Sequence, residues 1–322
     1  MPSRYRPAGP DLGATSLTAP SSLPVAPGGA AARPPSPSPG TPQRPRWLTS
    51  REARWRVVRF LLIAAGGAVM FFPFAWMIST SLTTDTELFA IPPKLIPDPV
   101  DTSAYSRVVE TFPLSRWMLN SLFITVSVTI LQVTTSAMAA YVFARMRFRG
   151  RDALFAVYIA TLMVPFQVLV VPLFIEIRYM GMLDSYPALI VPEVAMPFGV
   201  FLLRQAFLSL PRELEEAAFV DGAGHVRVFL RIVLPLAKPA VATVAVFAFM
   251  GSWNNFLWPL VVINSPRFMT LPLGLSTMSD RFVTDWNLVL AGATISVLPI
   301  LAVFLFAQRY VIQGFAMSGL KG

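Results

Sequence analysis

Asn254 and Asn255 stand side by side in an otherwise apolar stretch, with Trp253 before them and Trp258 shortly after. Amide groups inside an apolar helix are costly unless they hydrogen-bond across helices or to something in a wet cavity. The indoles offer flat apolar faces, and sugars present both C–H faces and hydroxyls. The four residues therefore predict either a surface for a sugar-like ligand or packing at a helix interface, and the sequence leaves both open.

A single carboxylate, Glu193, lies in another apolar stretch, between Pro192 and Pro197. A charged side chain at the centre of a bilayer costs on the order of 2.5 kcal/mol or more. Glu193 is therefore expected to face a cavity, to pair with a partner, or to lie close enough to the outer interface to reach water. It is a candidate for a transport pathway as well as for a structural role.

Residues 209–238 form a charged segment between two apolar blocks. Pro211 suits the first position of a helix, and the acidic residues that follow favour the positive end of the helix dipole: Glu213, Glu215 and Glu216. Gly222 or Gly224 can end this helix, and a second short helix can start near His225. Each helix has an apolar side, so the pair is expected to seat in a groove on a partner or to pack on its own bundle.

The run from Glu216 to Pro239 fits the pattern EAAxxDGAxxxxxFxxIxLPxxxP at every fixed position. It resembles the cytoplasmic EAA loop of binding-protein-dependent ABC importer permeases, and residues 209–238 are therefore named the EAA segment. The resemblance implies that this segment docks into a cleft on a separate ATPase subunit and transmits its opening and closing to the membrane helices. The residues that would carry this coupling are Glu216, Ala217, Ala218, Asp221, Gly222, Ala223, Phe229, Ile232, Leu234 and Pro235.

Two further stretches are similar to the carbohydrate-uptake branch of that family. The run SWNNFLWPL resembles a helix of the smaller membrane subunit of maltose-type transporters, and the ending from Gln308 to Gly322 resembles the tail of the same branch. The resemblance implies a permease of the type I ABC importer kind, paired with a second permease subunit, ABC ATPase subunits and an extracytoplasmic solute-binding protein. ATP and Mg would be bound by the ATPase partner.

The composition also points to the membrane, because 55% of the 322 residues are hydrophobic, 13% are charged and the mean hydropathy is +0.60. A bilayer core needs about 20 apolar residues per helix. Six stretches qualify, over about residues 57–79, 119–144, 153–175, 188–207, 239–263 and 288–310. They predict an all-α integral membrane protein with a six-helix transmembrane bundle, because strands of a β-barrel would show alternation instead.

The positive charges set the expected orientation. Most of the 26 Lys and Arg residues fall on one side of the six stretches, which the positive-inside bias assigns to the cytoplasm. Both termini and the EAA segment are then cytoplasmic in a multi-pass protein of a bacterial-type inner membrane. This asymmetry and contact with anionic membrane lipid account for the net charge of +9, so the sequence predicts no nucleic acid partner.

The first 50 residues differ in composition from the rest of the chain. Residues 1–50 are rich in Pro, Ala, Ser, Gly and Arg, which predicts a disordered cytoplasmic tail or a partner-binding arm. The permease domain is expected over residues 51–322.

Several chemistries are excluded by residue types that the sequence lacks. It contains no cysteine, one histidine (His225) and no GxxxxGK[ST] motif, so we expect no catalytic residues, no bound cofactor or metal, and no ATP site on this chain. The alternatives are the same machinery with a non-sugar polar cargo such as a glycerol phosphodiester, an ATP-independent secondary transporter, and a membrane scaffold or receptor. A secondary transporter would be favoured by paired intramembrane charges, and only Glu193 is available.

Overall fold

The computed structural model describes residues 50–319 except 85–86, 89–90, 92–93 and 280–284, with side chains described from residue 54 to residue 308. All regular elements within these ranges are helical. The chain divides into two units, residues 1–62 and residues 63–322. Apart from Ser50, the tail expected over residues 1–50 lies outside the described residues, as do the side chains that follow Gln308.

The described residues form fourteen α-helices, three 3-10 turns and one π-helical turn. In chain order the helices are α1 Ser50–Ser81, α2 Ser103–Thr111, α3 Leu114–Arg145, α4 Arg151–Ala160, α5 Phe166–Tyr179, α6 Tyr186–Ile190, α7 Pro197–Leu208, α8 Glu213–Val220, α9 His225–Val228, α10 Leu234–Leu236, α11 Lys238–Trp253, α12 Leu257–Val262, α13 Leu271–Ser276 and α14 Trp286–Gly319. The 3-10 turns are Thr161–Met163, Val191–Glu193 and Pro266–Phe268, and a π-helical turn spans Phe229–Val233.

Three of these helices, α1, α3 and α14, are long and apolar enough to cross a membrane in one piece. They contain the predicted spans 57–79, 119–144 and 288–310. Three more candidates are pairs of helices bent at a short break, which gives up to six spans if each pair is one span. The pairs are Arg151–Met163 with Phe166–Tyr179 at 100°, Tyr186–Glu193 with Pro197–Leu208 at 43°, and His225–Leu236 with Lys238–Trp253 at 82°.

We predicted one continuous helix for each of the stretches 153–175, 188–207 and 239–263. This prediction is wrong, because each stretch is interrupted. Val164 and Met196 interrupt the first two, with backbone angles of φ −84°, ψ 115° and φ −128°, ψ 89°. Both residues precede a proline, whose ring clashes with a helical conformation of the preceding residue. The third stretch is interrupted between α11 and α12, at the two adjacent asparagines.

The core is built around α3, which packs against both α7 and α11, while α11 also packs against α14. Small residues allow the close approach of α3 and α7. A Cβ added at Gly199 on α7 would lie 2.7 Å from Oγ of Ser136 on α3. Close backbone approach through small residues is the usual packing of helices in lipid, because no hydrophobic driving force acts between them there.

Asn120 joins α3 to two other parts of the fold. Its Nδ2 donates to the carbonyls of Arg267 and Met269 at 2.9 and 2.8 Å, and its Oδ1 accepts a hydrogen bond from the Tyr186 hydroxyl at 2.8 Å. The amide is 4% exposed, so burial is compensated by a full set of partners. It fixes α3, the turn before α13 and the start of α6 at one point.

Asp184 holds the loop before α6 against the end of α12. Its Oδ1 accepts hydrogen bonds from the backbone N–H groups of Asn264 and Ser265, each at 2.9 Å, and its own N–H donates to the Val262 carbonyl at 3.0 Å. The Ser265 N–H holds the pKa of the Asp184 carboxyl below its ordinary value. These hydrogen bonds fix α6 relative to α12. Each of these two helices adjoins one of the helix breaks: α6 precedes the break before α7, and α12 follows the break after α11.

Gly274 on α13 lies against Trp117 of α3, and we predict that Gly274→Ala destabilises the fold. An added Cβ would overlap Cδ2 of Trp117, whose side chain is 2% exposed, so the indole or the helix would have to shift. Overpacking of this kind costs about 1–3 kcal/mol. Thermal unfolding in detergent should show a lower midpoint for this variant but not for Gly66→Ala, where nothing lies within 4 Å of the added atom. Equal midpoints would show that Trp117 moves freely.

Candidate functional site

Two helix breaks meet at Glu193 and Asn255. Glu193 ends the 3-10 turn before α7, and Asn255 lies in the break between α11 and α12. The Asn255 Nδ2 donates a hydrogen bond to Oε1 of Glu193, and the Asn255 Oδ1 accepts one from the Trp258 N–H at 3.3 Å. The structure thus brings together two residues that the sequence marked separately as candidates for a transport pathway.

The backbone carbonyls freed at the first break are satisfied by α3. Gln132 Nε2 donates to the Glu193 carbonyl at 2.6 Å, and Thr135 Oγ1 donates to the Val194 carbonyl at 2.8 Å. These donors take the place of the helical bonds that the break removes, as non-helical backbone in a membrane requires. We did not predict a role for Gln132, although its spacing from Thr135 puts both on one face of α3.

Some polar groups at this site remain available for hydrogen bonds with a ligand. Within the described part of the chain, the second carboxylate oxygen of Glu193 has no hydrogen-bond partner. Asn254 is exposed, and its Nδ2 donates to the Met250 carbonyl at 2.8 Å, in its own helix. No group of three or more His, Cys, Asp or Glu side chains comes together among the described residues. The arrangement can accept hydrogen bonds from hydroxyl groups of a ligand.

The two indoles pack between helices in this structure. Trp253 and Trp258 are 1% and 0% exposed, and their Nε1 groups donate to the carbonyls of Ser296 at 3.2 Å and Ala188 at 2.8 Å. Of the two alternatives that the sequence left open for these tryptophans, this geometry matches packing. The sequence predicted that the two amides lie inside a continuous helix, and this is wrong. They lie directly after α11, in the break that precedes α12.

The EAA segment forms a pair of short helical stretches, as predicted, with one correction. Pro211 is not the first helical residue, because α8 begins at Glu213. The chain then turns at Gly222, where φ is +79°, and a second helical stretch starts at His225. Of the two glycines considered for the turn, Gly222 adopts the left-handed conformation and Gly224, with φ −79°, does not.

One face of the EAA segment is exposed, and it carries both motif residues and apolar side chains. The exposed motif residues are Glu216, Ala217, Asp221, Gly222 and Pro235, whereas Ala218, Ala223, Phe229, Ile232 and Leu234 are half-buried. The apolar side chains beside them are Val220, Val226 and Leu230, which are 87%, 71% and 55% exposed. Val226 and Leu230 line one surface depression together with Arg227 and Arg231, and exposed apolar side chains among charged ones are typical of a protein interaction site.

The buried face of the EAA segment packs on α3. The Phe229 ring lies 5.1 Å from the Tyr141 ring, and Val228 and Val233 are fully buried in the same cluster. The motif therefore has two faces, one exposed and one packed on the helical core.

A buried ion pair ties α8 to the end of α3. Arg145 Nε lies 2.7 Å from Oε1 of Glu215, and the two side chains are 5% and 8% exposed. Burial raises the pKa of the Glu215 carboxyl, and the Arg145 guanidinium opposes that rise. The sequence marked Glu215 only as a charge at a helix start, because a partner in a distant helix leaves no local signal.

Comparison with known proteins places these features in one family. The family described as "Binding-protein-dependent transport system inner membrane component" matches residues 132–316, a range that includes Glu193, the EAA segment and Asn255. The chain is 36% identical over 255 residues to the arabinooligosaccharides transport system permease protein AraQ of Halalkalibacterium halodurans, covering 78% of this chain and 91% of that protein. It is 33% identical over 270 residues to the diacetylchitobiose uptake system permease protein NgcG of Streptomyces coelicolor, covering 83% and 89%.

A solved structure shares the fold. It is described as a bacterial ABC transporter involved in the import of the acidic polysaccharide alginate, and it aligns with a TM-score of 0.73 at 24% identity, over 84% of this chain and 100% of that chain. The family match covers more than half of this chain, and the relatives align over most of their length. These matches confirm the resemblance carried by Glu216–Pro239, and the chain belongs to the family of binding-protein-dependent transport system inner membrane components.

Proposed function

We propose that this chain forms part of the translocation pathway of an ATP-driven importer and that its cargo is a carbohydrate. Family membership supports transport that depends on a binding protein, and the names of the two relatives concern oligosaccharides. The observation that carries the proposal is the meeting of two broken helices at Glu193 and Asn255. Transporters commonly bind their cargo where helices are discontinuous, because polar backbone and side-chain groups become available inside the membrane there.

In this proposal the cargo's hydroxyl groups donate to the second carboxylate oxygen of Glu193. The amide of Asn255 lies beside it, and the exposed amide of Asn254 supplies further donors and acceptors, as carbohydrates require in both roles. Trp253 and Trp258 act by fixing the breaks in place, since their rings are buried against neighbouring helices.

The EAA segment is the proposed site of coupling to the ATPase. Glu216 and the apolar side chains of Val220, Val226 and Leu230 are each exposed, as residues that seat in a partner's cleft must be. ATP and Mg would be bound and ATP hydrolysed on that separate subunit. Its two states would hold the segment in different positions, and only such differential binding can shift the membrane helices.

The complete machine that we propose contains a second permease subunit, two ATPase subunits and an extracytoplasmic solute-binding protein. In this proposal the permease domain over residues 51–322 has six spans, of which α11 and α12 together form the fifth, so the EAA segment stays outside the membrane. The EAA segment and both termini, including the tail over residues 1–50, face the cytoplasm of a bacterial-type inner membrane. Excess Lys and Arg on that side supports this orientation.

Uptake by the reconstituted complex tests this function. Proteoliposomes containing this chain and its partner subunits should accumulate a labelled oligosaccharide only when ATP and the loaded binding protein are both supplied. Competition by unlabelled sugars but not by a glycerol phosphodiester would identify the cargo class. The proposal would be abandoned if this chain alone moved the cargo without ATPase subunits, as a secondary transporter does, or if no carbohydrate competed.

A further inference from the structure

The end of α3 is held by two parts of the EAA segment at once. Besides its ion pair with Glu215, Arg145 donates a hydrogen bond from a terminal nitrogen to the Leu210 carbonyl at 3.0 Å. Leu210 lies in the connection that leads into α8, so one guanidinium holds both the entry to the segment and its first helix. Among the ion pairs of the described residues, only this one has both side chains less than 10% exposed.

Two neighbouring glutamates of α8 face in different directions. Glu215 is 6% exposed and points to Arg145, whereas the next residue, Glu216, is exposed. The first glutamate contacts the core of this chain, and the second remains accessible to a partner. A push on the exposed side of α8 therefore acts directly on the residue that holds Arg145.

The same helix leads from this ion pair to the candidate site. Arg145 is at the carboxyl end of α3, and Gln132, which donates to the Glu193 carbonyl, is on α3 about 20 Å away at 1.5 Å per residue. The helix is a single unbroken element over this distance. A displacement of its end is therefore carried to the backbone that positions Glu193.

We propose that Arg145 is the positioning residue that makes α3 follow the EAA segment, so that movement of α8 reaches the Glu193–Asn255 pair. This inference rests on the proposed coupling function. The planar Arg145 guanidinium has two contacts, an ion pair of Nε with Glu215 that lacks hydrogen-bond geometry and a hydrogen bond from a terminal nitrogen to the Leu210 carbonyl. Two contacts on one rigid plane resist rotation as well as displacement, which a single flexible contact does not. Separation of the buried pair would leave an uncompensated charge, so α8 and the end of α3 move together.

One single variant and one double variant test, in the complete reconstituted transporter, whether Arg145 makes α3 follow the EAA segment. Arg145→Lys keeps the charge but loses the planar fork, and the double variant Arg145→Met with Glu215→Met keeps the bulk but removes both charges. Apolar replacement of both partners of a buried pair generally preserves folding, which keeps the test valid if single changes do not fold. Arg147→Lys serves as the matched control, because Arg147 is exposed two residues further along.

The readouts are retention of the ATPase subunit, the rate of ATP hydrolysis, and cargo imported per ATP hydrolysed. Arg145→Lys and the double variant should retain the ATPase subunit and hydrolysis, while cargo per ATP falls about tenfold, within the range seen for residues that carry coupling. Arg147→Lys should leave all three readouts unchanged. Unchanged cargo per ATP in both variants would overturn the inference, and so would a loss of ATPase retention in proportion to uptake. Failure of the unmodified chain to bind any ATPase subunit would instead refute the proposed function.

Discussion

Gly222→Val is expected to lower ATP-driven uptake by about tenfold or more, while the chain still inserts into the membrane. Gly222 has φ +79°, in the turn that sets the angle between α8 and the stretch starting at His225. The left-handed conformation costs an L-residue roughly 1–2 kcal/mol and a β-branched residue more. The turn relieves this strain by changing the angle between the two stretches, so Glu216 and Val226 no longer fit one cleft together. Because 1.4 kcal/mol corresponds to a factor of ten in binding, strain of this size is enough for the expected loss.

Gly224→Val is the matched control for this prediction. Gly224 has φ −79° and ψ 164°, an extended conformation that valine adopts readily, and neither glycine has an atom within 4 Å of an added Cβ. The two variants therefore add the same side chain into open space two residues apart, and they differ in backbone strain. Uptake and co-purification of the ATPase subunit should fall only for Gly222→Val. Equal behaviour of the two variants would mean that the angle at this turn does not matter for coupling.

The long spans were predictable because each depends on composition alone. The stretches 57–79, 119–144 and 288–310 lie inside single helices, and each was marked by an uninterrupted apolar run. The breaks at Val164 and Met196 had a local signal, since both residues precede a proline, whereas we predicted each of the two stretches as one continuous span. The effect of a proline on the preceding residue would have predicted a break instead.

The break at the paired asparagines had a weaker signal. Asparagine side chains compete with the backbone for hydrogen bonds, and the Asn255 Oδ1 does so here by accepting from the Trp258 N–H. The sequence showed that such amides need partners, but it did not show which ones. Two of these partners are local, Met250 for Asn254 and Trp258 for Asn255, but the partner that joins the two breaks is Glu193, 62 residues away from Asn255.

Pairings between distant residues account for what the sequence did not predict. The turn and the helix starts of the EAA segment follow from residues within a few positions of one another. A local pattern therefore located the turn to one of two glycines and the second helix start at His225, although the first helix begins two residues later than Pro211 suggested. The Arg145–Glu215 pair and the burial of Trp253 and Trp258 depend on how separate helices meet. A general rule says that a buried charge or indole needs a partner, and only the fold identifies that partner.

Asn255→Leu is expected to lower uptake by about tenfold or more without weakening the attachment of the ATPase subunit. The substitution removes the donor to Glu193 and leaves that carboxylate without its one side-chain partner among the described residues, which costs about 1–3 kcal/mol for a buried polar group. It also removes the Oδ1 acceptor for the Trp258 N–H at the start of α12, worth about 1 kcal/mol by analogy with helix caps. Both losses act inside the membrane domain, whereas the exposed face of the EAA segment is unchanged.

Two companion variants separate the role of the pair from general damage. Asn264→Leu makes the same replacement at an exposed asparagine whose side chain has no hydrogen bond in the described part of the structure, and it should leave uptake unchanged. Glu193→Gln removes the charge but keeps an acceptor for the Asn255 amide, so it should reduce uptake less than Asn255→Leu if the hydrogen bond fixes the two breaks. Full uptake by Asn255→Leu would show that the breaks hold their geometry without this bond, and loss of the ATPase subunit from that variant would show that its effect extends beyond the pathway. An equal loss in Glu193→Gln and Asn255→Leu, with Asn264→Leu unaffected, would instead assign the effect to the carboxylate charge and not to the bond between the two breaks.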